Sequence, residues 1–155
     1  HEALLLARLK AMGHVVQEVI YVPWGGTLAC VVQMTPQTDG EARNVLTAVL
    51  GERWPNCKLA IAVDNDVDAG SAEDLIWSIT TRVDPVDDMF IIPNVKGHPV
   101  DPTARRTGDS PRDVVFSKWA LDATKPPLQH ADARGRFERT LPPNHGEVNL
   151  GDFLD

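Results

Sequence analysis

The chain has 155 residues, 43% of them apolar and 24% charged, which fits one ordinary globular domain spanning 1–155 and excludes an intrinsically disordered segment. With 15 basic against 22 acidic residues the net charge is -7, which excludes nucleic acid as an expected partner, because phosphate binding needs clustered Lys and Arg. No stretch approaches the roughly 20 apolar residues of a membrane span, and no signal peptide is visible.

Residues 2–12, EALLLARLKAM, are strong helix formers with Leu5, Leu9 and Met12 at helical spacing, and Gly13 is the expected stop. Residues 15–22 read as a strand, Pro23-Trp24-Gly25-Gly26 as a turn, and residues 28–34 as a second strand antiparallel to the first. Thr38 and Glu41 have capping-box spacing ahead of a helix to Leu50, with Ala42, Val45, Leu46, Val49 and Leu50 as its apolar stripe. Residues 57–63 are nearly all apolar and predict a central strand buried on both faces. Ser71 and Asp74 repeat the capping-box spacing, and Leu75, Ile76, Trp77 and Ile79 predict a third helix. Residues 89–92 are a short strand. Residues 93–113 carry four prolines among many charges and predict a long loop. Residues 114–121 return to a strand pattern, and residues 126–155 are expected to form an extended tail with a short helix. Strands alternating with helices predict an α/β fold, a three-layer α/β/α sandwich around a mixed sheet.

Cys30 and Cys57 lie in apolar runs and are expected to be reduced core residues of a cytoplasmic protein. The chain begins at His1 without an initiator Met, as expected of a processed chain or a piece of a longer one. Asp64, Asp66 and Asp68 follow the central strand closely. A calcium loop would need glycine where Ala69 stands and glutamate where Leu75 stands, so the acids are expected to serve the helix that follows, or to pair with a cation such as Arg82. A small metal-binding domain built on these three acids stays open as a further reading. No histidine pair has metal-site spacing, and no nucleophile elbow is present, so no catalytic and no metal-ligating residue is assigned. His98, in Lys96-Gly97-His98-Pro99-Val100, is the one histidine in the long loop.

Four segments, in order and at matching spacing, together resemble the C-terminal part of the UbiD family, the prenylated-flavin-dependent (de)carboxylases of aromatic and unsaturated acids. They are Lys58–Asp68 (KLAIAVDNDVD), Asp74–Pro85 (DLIWSITTRVDP), Ile91–Pro102 (IIPNVKGHPVDP) and Ser117–Pro126 (SKWALDATKP). The first sixty residues fit the family more loosely.

The resemblance implies that prenylated FMN, with Mn2+ and K+, and the catalytic Glu-Arg-Glu set belong to a preceding flavin domain. The present segment would then bind no cofactor and be inactive alone. It would serve assembly as a dimer or higher homo-oligomer and close over the flavin domain's active site, where a small aromatic acid binds. The pocket-facing positions carried onto this chain are His98 and Val100, with Lys96 at the base of the loop. Relatives acting on hydrophobic acids have bulky apolar residues there, so His98 implies a more polar, hydroxylated or heteroaromatic acid. Asp66, Asp68, Arg82 and Asp122 would be structural. Some relatives have a lysine shortly before the acidic strand that reaches the cofactor; Gly51–Pro55 has none, and Arg53 is the cation of that stretch. The alternative is a free-standing subunit or non-catalytic binding module of the same fold.

Overall fold

The computed structural model describes residues 1–52 and 56–141. Arg53 and the end of the tail, including Pro142-Pro143, therefore lie outside the described residues.

Helix α1 (Glu2–Ala11) buries Leu5 and Leu9, while Met12, expected on the same stripe, is 63% exposed just beyond the helix end. Gly13 turns the chain with φ +90°, a conformation that favours glycine. Strand β1 (Val16–Tyr21) and strand β2 (Ala29–Met34) pair antiparallel across a 3-10 turn at Pro23–Leu28. Helix α2 (Glu41–Leu50) buries all five residues of its predicted stripe. Only half of its capping box forms: the Glu41 carboxylate accepts from the Gln37 and Thr38 amides, and the Thr38 side chain does not cap.

Strand β3 (Leu59–Val63) lies parallel to β2, and β6 (Val114–Ala123) lies parallel to β3. Helix α3 (Ala72–Arg82) begins at Ser71, whose hydroxyl accepts from the Asp74 amide at 3.2 Å. It buries Leu75, Ser78 and Arg82; Ile76, expected to help build the helix, is 60% exposed. Strand β4 (Met89–Lys96) pairs antiparallel with β6 and runs four residues further than its apolar signal. Pro93 is tolerated inside it because β4 is an edge strand, and Asn94, with φ +54°, sits in a bulge between Ile92 and Val95. Strand β5 (Arg105–Arg106), inside the expected loop, pairs with Val114–Val115 at the start of β6, below the level at which β3 begins. Helix α4 (Ala131–Arg134) follows near the described end.

The sheet order is β1-β2-β3-β6-β4, with β5 on β6. Strand alternation divides the core in two. Cys30, Val32, Met34, Ala60, Ala62 and Ala120 face α1 and α2. Val31, Ile61, Val63, Leu121 and Ala123 face α3. The result is a three-layer α/β/α sandwich around a mixed sheet. Its central strand β3 is buried on both faces, as its apolar run predicts. Both cysteines are buried free thiols on the α1/α2 side.

Candidate functional site

The sheet has two ends, set by the direction of β3. Lys58 precedes β3 at one end. Val63 and Ala123 close β3 and β6 together at the other. From Val115 to Asp122 along β6 the separation is about 20 Å.

The residues Lys96, His98 and Val100 lie at the first end. Lys96 closes β4 opposite Val115 and is exposed. Gly97 donates to the Val114 carbonyl and lies so close to the Phe116 ring that a Cβ there would collide with it. The turn at residues 98–101 follows. His98 is half-buried, and its Nδ1 accepts from the Val100 amide at 3.3 Å. Val100 is 57% exposed. None of the three lines the cavity beside α2 and the tail segment or the one beside α1. They stand on a turn at the surface.

At the opposite end, the acidic turn after β3 holds a segment of the tail. Asp64 is fully buried. Its Oδ1 accepts from the Asn65 amide and the Thr35 hydroxyl, and its Oδ2 accepts from the Lys125 amide and from Arg134 at 2.9 Å. Asp66 receives both terminal nitrogens of Arg82, at 3.0 and 2.6 Å, and Lys125 Nζ at 3.2 Å. Partial burial pushes the Asp66 carboxyl up. Arg82 and then Lys125 outweigh that and hold it below the usual carboxylate range. Asp68 is exposed and accepts from the Gly70 amide of its own loop at 2.9 Å. Lys125 also reaches Glu138, Arg82 donates to the Phe137 carbonyl, and Arg139 binds Asp74 while stacking over Trp77. Asp64 and Asp66 therefore face protein cations, and among the described residues no three His, Cys, Asp or Glu side chains are grouped to hold a metal.

Beside this network lies a cavity of about 490 Å³ between the start of α2, the turn ahead of β4 with Phe90, and the tail segment. Asp88 and Asp122 both line it. Burial raises each carboxyl above its usual range, against the hydrogen bond from the Asp84 amide at Asp88 and those from Thr124 at Asp122; Asp84 and Asp87 add to the rise at Asp88, Asp88 adds to it at Asp122, and Arg43 opposes both. Asp122 accepts from the Thr124 amide and hydroxyl, at 3.1 and 2.7 Å. Asp39, Asp87, Asp88 and Asp122 make the lining acidic; of its cations, Lys125 pairs with Asp66 and Glu138 and Arg82 with Asp66, while Arg43 donates to the Asp87 carbonyl.

Sequence reasoning missed two features. Lys58 and Asp101 form an ion pair of 2.7 Å beneath the His98 turn; both stand in the quoted motifs, but 43 residues apart in the chain, with nothing local to link them. Lys118 is buried inside β6 and donates to the Leu50 carbonyl at the end of α2, at 2.6 Å; desolvation lowers its pKa.

Residues 1–123 match the family model of the 3-octaprenyl-4-hydroxybenzoate carboxy-lyase C-terminal domain, UbiD. Among curated proteins, the chain is 36% identical over 97 residues to an anhydromevalonate phosphate decarboxylase of Archaeoglobus fulgidus, covering 63% of this chain and 21% of that protein. It is 30% identical over 121 residues to a gallate decarboxylase of Lactiplantibacillus plantarum, covering 74% of this chain and 24% of that protein. Among solved structures, the UbiD-class enzyme HmfF of Pelotomaculum thermopropionicum, in complex with FMN, aligns with a TM-score of 0.76 at 29% identity, over 99% of this chain and 32% of that one. Vanillic acid decarboxylase of Sedimentibacter hydroxybenzoicus, in closed form, aligns with a TM-score of 0.71 at 28% identity, over 94% of this chain and 30% of that one. The chain thus spans between about a fifth and a third of the length of these relatives.

Proposed function

The chain belongs to the UbiD carboxy-lyase family through its C-terminal domain, and on that premise we propose that it is the assembly and closure domain of a cytoplasmic decarboxylase acting on a polar aromatic or unsaturated carboxylic acid. In this reading the prenylated FMN, with Mn2+ and K+, sits in a preceding flavin domain of the same protein. This domain supplies homo-oligomer contacts and brings the turn of His98 and Val100 onto the substrate; its own residues carry no catalytic step.

The observation that supports the reading most is the turn itself. It is held firmly from below by Gly97 and Asp101, yet it leaves Val100 exposed and His98 half-buried at the surface. A firm exposed turn suits a surface that completes a site on another domain. The half-buried imidazole of His98 favours a polar acid over a hydrophobic one, in line with the gallate and phenolic acid decarboxylases among the relatives. No helix among the described residues is long and apolar enough to cross a membrane.

The test is to incubate the isolated chain with prenylated FMN and Mn2+ and assay CO2 release from a panel of hydroxylated benzoates. The expected result is no retained flavin and no turnover. Turnover by the isolated chain would overturn the reading.

A further inference from the structure

The turn that carries His98 and Val100 is tied to the centre of the sheet through one buried carboxylate. Asp101 is 3% exposed, and the Lys58 ammonium lies 2.7 Å from its Oδ2. The same ammonium donates to the Thr103 hydroxyl at 2.7 Å and stands 5.8 Å over the Phe116 ring, the ring that packs on Gly97. Asp101 Oδ1 accepts from both the Thr103 amide and the Thr103 hydroxyl, at 2.8 and 2.7 Å. The turn closes with the Asp101 amide on the His98 carbonyl and the Ala104 amide on the Asp101 carbonyl. Lys58 is itself fixed on both sides, because its amide donates to Leu28 beside β2 and its carbonyl accepts from Trp119 in β6. One side chain at the junction of β2, β3 and β6 therefore grips the whole 98–104 turn.

We propose that Lys58 and Asp101 are positioning residues that set the height and direction of His98 and Val100 over the substrate acid; this rests on the reading above that the turn meets substrate. A buried carboxylate without a cation is strongly disfavoured, so the closed turn depends on Lys58, and outward rotation of the turn breaks the Lys58–Asp101 pair. Burial alone pushes the Asp101 carboxyl up, but Lys58 and the two Thr103 donors outweigh it, so the carboxylate stays charged and the grip persists. The turn is thereby ordered in the folded protein before substrate arrives. An error of about 1 Å in such a contact is enough to cost on the order of a hundredfold in rate.

The experiment uses the whole decarboxylase that contains this chain, loaded with its flavin, and compares Lys58→Met, Lys58→Arg, Asp101→Asn and His98→Phe. Hydrogen exchange is followed at the Val100, Asp101, Thr103 and Ala104 amides, and kcat and KM are measured over benzoates of graded polarity. Lys58→Met and Asp101→Asn are expected to speed exchange at these amides at least tenfold and to flatten the preference among acids, with KM rising more than kcat falls. Lys58→Arg is expected to restore most of both. If Asp101→Asn fails to fold, Thr103→Val and Lys58→Met give the same readouts. Unchanged exchange overturns the brace. So does faster exchange with wild-type acid preference while His98→Phe still shifts that preference. If His98→Phe leaves preference unchanged as well, the turn does not meet substrate, and the functional reading falls with the inference.

Discussion

Arg82 binds both carboxylate oxygens of Asp66, at 3.0 and 2.6 Å, from the last turn of α3, while the Trp77 ring lies 4.7 Å from its guanidinium carbon. The bond ties the end of the helix back to the strand exit that precedes it. The partners are not equivalent: the Arg82 side chain is fully buried, whereas Asp66 is 27% exposed and keeps Lys125 when Arg82 is lost.

Asp66→Ala is therefore expected to cost more than Arg82→Met. The first strands a buried guanidinium on the Phe137 carbonyl, a loss of about 3–5 kcal/mol. The second leaves a screened carboxylate and keeps apolar contact with Trp77. Thermal unfolding checks this: the Asp66→Ala melting temperature is expected to fall by on the order of 10 °C and the Arg82→Met value by less. Equal losses would mean that the guanidinium finds other acceptors.

The layers and most element boundaries were legible because they rest on local periodicity. The stripe of α2 and the two-sided burial of β3 follow from residue spacing alone. Met12 and Ile76 misled because an apolar residue near a helix end, or on its outer face, can remain in solvent without large cost. Pro93 hid half of β4, since proline is excluded from strands only where a partner needs its amide. The site was less legible. Lys58 with Asp101 and Asp64 with Arg134 are joined only by the closed sheet and the returning tail, and no periodicity encodes such long-range pairs.

Gly97 and Phe116 give the cleanest packing test. Gly97→Ala pushes a methyl group into the Phe116 ring, and overpacking of this kind costs about 1–3 kcal/mol. Phe116→Leu alone loses ring contact and is destabilising. The double variant is expected to be more stable than the sum of the two losses, because the smaller side chain makes room. Chemical denaturation of the four proteins measures the coupling, and simple additivity would show that the backbone moves instead.

Asp122 sets a pH-dependent term of definite sign. Its folded pKa is raised above the unfolded value, first by burial and further by Asp88. The charged form is thus disfavoured by folding, and stability falls as pH rises from the unfolded carboxylate value of about 3.9 through the higher folded one. Asp122→Asn keeps a carbonyl oxygen for the Thr124 amide and hydroxyl and removes the charge. It is expected to unfold at a higher temperature than wild type at pH 7, with the advantage shrinking by pH 4. The reverse trend in the melting difference would count against a raised pKa.

Asp64 and Arg134 test whether the acidic turn fastens the tail. Arg134 spans two anchors, the Asp64 carboxylate at 2.9 Å and the Pro126 carbonyl, and it lies at the end of α4. Its removal leaves a fully buried carboxylate with only neutral donors from Thr35, Asn65 and Lys125. Three donors soften the loss, so Arg134→Ala is expected to cost about 3 kcal/mol, the lower end for a broken buried pair. The local effect discriminates better than the global one. Amide exchange over residues 126–139 is expected to quicken while that of β3 and α2 changes only with global stability. Arg134→Lys keeps the charge but loses the two-pronged reach, and is expected to fall between the two. Exchange over 126–139 that matches wild type in Arg134→Ala would show that the other contacts, among them Lys125 to Glu138, Arg82 to Phe137 and Arg139 to Asp74, hold the segment.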